Sequence, residues 1–199
     1  MNIQTINYGW KFYKGLSKLE EISNGSFISV SLPHTWNNFD GQDGGANYFR
    51  GTCAYLKTID LNKKEDKEYY LEFKGVNSIA KVYVNDTFVI EHKGGFSTFR
   101  TNVTKLLNKG LNTIIVFADN SANDFVYPQT ADFTFFGGIY RDVNLLEVNP
   151  SRFDLDYFGS EGVKVTPILN ENKGLVNIEW FLTNVIENQE IEVIISYNN

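Results

Sequence analysis

Before residue 150 no stretch of this chain holds an apolar period of 3.6 for ten residues, and that absence most narrows what it can become. Alternation in short runs recurs instead. Ala80, Val82 and Val84 point one way and Lys81 and Tyr83 the other, which is the two-residue period of a half-buried strand. Residues 27–32 and 69–74 alternate in the same manner. Residues 113–118 are almost wholly apolar and predict a strand covered on both faces. Asn85-Asp86 predicts a tight hairpin turn from that clean strand to a return strand over 87–91. Short strands separated by Gly, Asn and Asp turns predict an antiparallel all-β sandwich or jelly roll. Further strands are expected over 48–59 and 139–146, with Leu71 and Phe73 facing inward.

Two long segments break this rhythm. Residues 33–49 hold Asn37, Asn38, Asp40, Gln42, Asp43, Asn47 and three glycines, a loop composition suited to a hydroxylated ligand. Calcium is a weaker reading, because the acidic spacing does not fit an EF-hand loop. Residues 119–136 hold Phe125, Tyr127, Phe133, Phe135 and Phe136 with no period of their own. Loops beyond about 12–15 residues are commonly functional, and rings on such a loop must be buried against something. Asp132 is the one acid beside this aromatic group. Gly137-Gly138 allows a tight entry to the next strand or the close approach of another backbone.

Composition excludes several functions. The charge of −6 is unevenly spread: residues 1–150 carry 15 Lys and Arg against 16 Asp and Glu, residues 151–199 carry 3 against 8. Without a basic stripe, nucleic acid is not an expected partner. No apolar run of membrane-spanning length occurs and no signal peptide is visible, so no membrane partner and a cytoplasmic location are expected. Cys53 is the single cysteine, in an apolar run that predicts a buried structural thiol. Trp36 and Trp10 are expected to pack in the sandwich, a ligand platform at His34 and Trp36 being the weaker reading.

Seven segments, in order, resemble the N-terminal sugar-binding domain of glycoside hydrolase family 2. They are Trp10 with Phe12, Leu32-Pro33-His34-Thr35-Trp36, Tyr48-Phe49-Arg50-Gly51, Phe73-Lys74-Gly75-Val76-Asn77-Ser78, Val82-Tyr83-Val84-Asn85, Gly94-Gly95-Phe96, and residues 132–143 ending in Gly137-Gly138-Ile139-Tyr140-Arg141-Asp142-Val143. The resemblance implies a galactose-binding-like jelly roll over 1–149. The strongly alternating runs at 162–167, 175–182 and 190–197 are similar to the first strands of an immunoglobulin-like sandwich over 150–199, expected to dock on the first unit or to pair with another chain.

It further implies that this is the N-terminal fragment of a β-galactosidase-type enzyme. The catalytic pair of Glu residues would stand in a later (β/α)₈ barrel of the same polypeptide, so no catalytic residue is assigned here. Asp132 matches an Asp that, in the family's β-galactosidases, contacts the sugar and helps hold sodium. Asn47 is the candidate for a second sugar contact, since Tyr48 occupies the family's Asn position. The implied partners are a β-galactoside, the barrel and, in some settings, further copies of the chain. No cofactor is expected in this chain, and Na or Mg in the full-length enzyme. The alternatives are a free-standing carbohydrate-binding module, the same domain of a β-glucuronidase or β-mannosidase, and an interdomain scaffold that never touches ligand.

Overall fold

The computed structural model describes residues 1–38, 48–128, 131, 133–171, 173–194 and 196. The fold is an all-β sandwich. Its larger sheet is ordered β3-β2-β4-β9-β6-β7, with β2 Trp10–Tyr13, β3 Ile28–Val30, β4 Thr52–Leu61, β6 Ile79–Val84, β7 Thr87–Lys93 and β9 Gly110–Asp119. The smaller sheet is ordered β1-β10-β5-β8, with β1 Asn2–Thr5, β5 Glu68–Phe73, β8 Phe99–Asn102 and β10 Val143–Val148. All pairings between these strands are antiparallel.

One apolar cluster fills the space between the sheets. Trp10, Phe12, Tyr55, Val82, Val84, Ile114 and Val116 reach it from the larger sheet, and Leu71, Phe73, Phe99, Val143 and Leu145 from the smaller. The apolar run of β9 is explained by burial on both sides: its other face, Ile115 and Phe117, packs with Tyr13 and Ile22 of the four-residue helix α1, Leu19–Ile22. Asn85 and Asp86 take φ of 47° and 61°, as a two-residue hairpin turn between β6 and β7 requires. Cys53 and Trp10 are fully buried.

Three expectations change. The strand expected from 139 begins at Val143. The backbone of the preceding residues is engaged elsewhere: Ile139 O accepts from His34 N and Asp142 O from Lys74 N, while Gly138 bridges to Asn77. Likewise the strand expected from 48 begins at Thr52, because Gly51 N donates to the side chain of Asn120 and not to a neighbouring strand. After residue 150, β12 Val163–Asn170 and β13 Lys173–Trp180 form a ribbon as expected, and β11 Arg152–Phe153 pairs with β14 Leu182–Thr183. The third expected strand does not form within 190–194. Val193 and Ile194 are exposed there.

The segment that leaves β10 docks on the outer face of the smaller sheet. Leu155 packs with Tyr70, Leu146 and Val148. Arg152 Nη2 lies 2.9 Å from Glu68 and donates to the Tyr70 hydroxyl at 2.6 Å. Arg100 forms a buried ion pair with Glu72 at 2.6 Å and also donates to Ser160 O. Glu72 in turn accepts from Asn144 at 2.8 Å.

Candidate functional site

The described parts of the two irregular segments meet, although about seventy residues separate the segments. Three buried asparagines hold them together. Asn120 directly follows β9 and donates to Asn37 Oδ1 and to Phe135 O, both at 3.1 Å. Asn37 Oδ1 also accepts from Gly137 N at 2.8 Å. Asn77 donates to Phe136 O and accepts from the Tyr127 hydroxyl. Thr35 Oγ1 adds a hydrogen bond to Gly137 O at 2.8 Å. A segment without backbone pairing must satisfy its carbonyls and amides through side chains, and these residues do so in the interior.

The glycines are there for contact. A Cβ on Gly137 would stand 2.1 Å from the Trp36 ring, and one on Gly138 2.4 Å from His34 O. Trp36 is fixed from below by stacking on Phe12, with centroids 6.0 Å apart, and by donating to Phe49 O. His34 Nδ1 meets the Tyr55 hydroxyl at 2.8 Å. The expected packing roles of Trp36 and Trp10 therefore hold.

Above this clamp opens a groove of about 740 Å³. Phe96, Tyr127, Phe133, Phe135, Phe136 and Tyr140 supply its rings. Four of them run as a chain of contacts: Phe96 to Tyr127 at 4.7 Å, Tyr127 to Phe135 at 6.0 Å, and Phe135 to Phe133 at 4.9 Å. Phe135 is buried beneath, whereas Phe96 and Phe133 are exposed. Burial raises the Tyr127 and Tyr140 hydroxyls above the ordinary phenol value, so both remain neutral donors.

Asp132 and Asn47, the residues singled out for ligand contact, lie outside the described residues. In sequence Asp132 stands between Ala131 and Phe133, both of which line the groove. The described residues gather no group of three or more His, Cys, Asp and Glu side chains that could hold a metal. Sequence reasoning missed the asparagine clamp: Asn77 stood out only as part of a resembling segment, and Asn37 as one polar residue among many in a loop. The available signal was Asn77, directly beside Val76, and Asn120, two residues after the apolar run that ends at Ala118.

Burial lowers the pKa of both His34 and His92 below the ordinary 6.5. A lowered folded-state value means that the unfolded chain binds the proton more readily. This stabilisation is fully present above pH 6.5 and is lost as pH falls from there through the folded-state values. Thermal melts between pH 7.5 and 5 should show a falling midpoint, with a smaller fall in His34→Gln. An identical slope in that variant would remove His34 from the account.

Residues 27–150 match the family described as "Glycosyl hydrolases family 2, sugar binding domain". The chain is 37% identical over 161 residues to a beta-glucuronidase of Bacteroides fragilis, covering 79% of this chain and 22% of that protein. It is 34% identical over 160 residues to a beta-galactosidase of Thermoanaerobacter pseudethanolicus, covering 78% and 20%. The crystal structure of a Bacteroides uniformis beta-glucuronidase superposes with a TM-score of 0.76 at 34% identity, over 89% of this chain and 21% of that one. The chain thus spans about a fifth of the length of each. With seven ordered segments, a matching sandwich and a family match over most of its length, the chain belongs to glycoside hydrolase family 2, through that family's sugar-binding domain.

Proposed function

We propose that the chain is the N-terminal part of a β-glycosidase that removes a terminal sugar, and that its aromatic loop completes the substrate pocket. Residues 1–149 then form the sugar-binding sandwich, and residues 150–199 open an immunoglobulin-like sandwich. The observation that carries this reading is the groove itself: a clamped, concave, ring-lined surface, two of whose lining residues, Ala131 and Phe133, flank Asp132 in sequence. In this reading Asp132 contacts a sugar hydroxyl and, with oxygen ligands from elsewhere in the protein, a sodium ion. Asn47 is the second sugar contact. The carboxylate pair for retaining hydrolysis belongs to a barrel further along the polypeptide.

A β-glucuronide is the first substrate to try, because relatives of that name reach 37% identity. A β-galactoside is the second reading, supported by the relative at 34%. Nitrophenyl glycosides of both sugars test the proposal on the full-length protein and on residues 1–199. The full-length protein should cleave one of them and the 199-residue chain neither. Turnover by the shorter chain would overturn the assignment of chemistry to a barrel. In the full-length protein Asp132→Ala should lower kcat/KM roughly 10- to 100-fold, the scale of a hydrogen bond to a charged group. An unchanged rate would make the domain a scaffold.

A further inference from the structure

We propose that the aromatic groove seats the aglycone, the group that leaves the sugar, and that it selects flat, uncharged, apolar aglycones of one to several fused rings. This rests on the reading that the parent protein cleaves glycosides.

The groove offers little to a polar ligand. Tyr127 gives its hydroxyl proton to Asn77, Asn77 gives its amide to Phe136 O, Tyr140 donates to Gly95 O and Thr35 to Gly137 O. These four polar side chains of the lining direct their hydrogen bonds into the protein, and Asn38 and Thr134 are the other polar residues of the described lining. The described lining contains no Lys, Arg, His, Asp or Glu. A sugar pressed against this surface would trade hydrogen bonds with water for contacts with ring carbons, which is unfavourable for each hydroxyl so stripped. A glucuronate carboxylate would fare worse, with no cation of the described lining facing it.

What the groove does offer is ring surface. Phe96, Phe133 and Phe136 stand partly open around the buried Phe135, so a planar ring system can gain both burial and offset or edge contacts. The volume of about 740 Å³ lies within the range of about 300–1,000 Å³ common for small-molecule sites. The clamp holds Tyr127, Phe135 and Phe136 before any ligand arrives, so little ordering of these rings is left to the binding step. Asp132, beside the groove in sequence, is then left for the sugar.

The test compares 4-methylumbelliferyl and methyl glycosides of the same sugar on the full-length protein, in wild type and in Phe133→Ser/Phe136→Ser. Both rings are substantially exposed, at 63% and 46%, so the fold should survive, and an unchanged melting midpoint checks this. The expected result is at least a tenfold loss in kcat/KM for the methylumbelliferyl glycoside, with the methyl glycoside within twofold of wild type. An equal loss on both substrates overturns the proposal, because the rings then serve only to shape the sugar site. No change on either overturns it too, and means that other parts of the protein cover the groove. If wild type cleaves no glycoside of either kind, the parent reading falls first and the aglycone site with it.

Discussion

Gly137→Ala should destabilise the chain by about 3 kcal/mol, or roughly 6–12 °C in melting midpoint for a chain of this size. The added methyl carbon would lie 2.1, 2.6 and 2.7 Å from three atoms of the Trp36 ring. That ring has little room to retreat: it is 5% exposed, stacked on Phe12 and hydrogen-bonded to Phe49 O. The backbone of Gly137 cannot retreat either, since its N–H is held by Asn37 and its carbonyl by Thr35. Gly174→Ala is the control, because nothing lies within 4 Å of the point where its Cβ would stand, and the change should be near neutral. Trp36→Leu in the Gly137→Ala background should recover part of the loss, as expected for two residues in direct conflict. Equal midpoints for Gly137→Ala and Gly174→Ala would show that the loop does not press on Trp36.

Arg100→Met should cost about 3–5 kcal/mol, the usual penalty for leaving one partner of a buried ion pair. The Arg100 and Glu72 side chains are 5% and 6% exposed, so the abandoned carboxylate has little water to turn to. Its remaining partner is Asn144, itself bound to Thr5 at 2.9 Å. The double variant Arg100→Met/Glu72→Leu should lie much closer to wild type, since an apolar pair can replace an ionic one at little net cost. Chemical denaturation of the wild type and the two variants decides this. If the single and double variants are equally unstable, the loss comes from the Arg100 contacts to Ser160 and Glu161 rather than from the stranded charge.

The sandwich was legible where local chemistry and tertiary demand agreed. Asn85-Asp86 announced the hairpin because few residues adopt two successive positive φ values. The unbroken apolar run of β9 announced a strand buried on both sides. Legibility failed where backbone groups were claimed from a distance. Nothing near residue 139 shows that His34 will take the Ile139 carbonyl, so an alternating run passed for a strand four residues early. The same holds for the site. Phe133, Phe135 and Phe136 marked the loop, but its clamp depends on Asn37 meeting Gly137 across a hundred residues. An asparagine that will be wholly buried looks, in sequence, like one on a surface loop. The run at 190–194 failed differently: it has the alternation of a strand, but its Ile191, Val193 and Ile194 stay exposed and it pairs with no strand among the described residues.

The pairing of β1 with β10 has a consequence for how the chain is made. Asn2 aligns with Glu147 and Thr5 with Asn144, so the first strand of the sandwich to leave the ribosome pairs with the last. At about 5–20 residues per second, β1 waits roughly 7–30 seconds for its partner to be synthesised. All four of its residues are exposed in the finished fold, so it brings backbone hydrogen bonds rather than core side chains. It acts as a latch closed only once the rest of the sandwich has emerged, and a nascent chain halted before residue 143 has nothing to fasten it to.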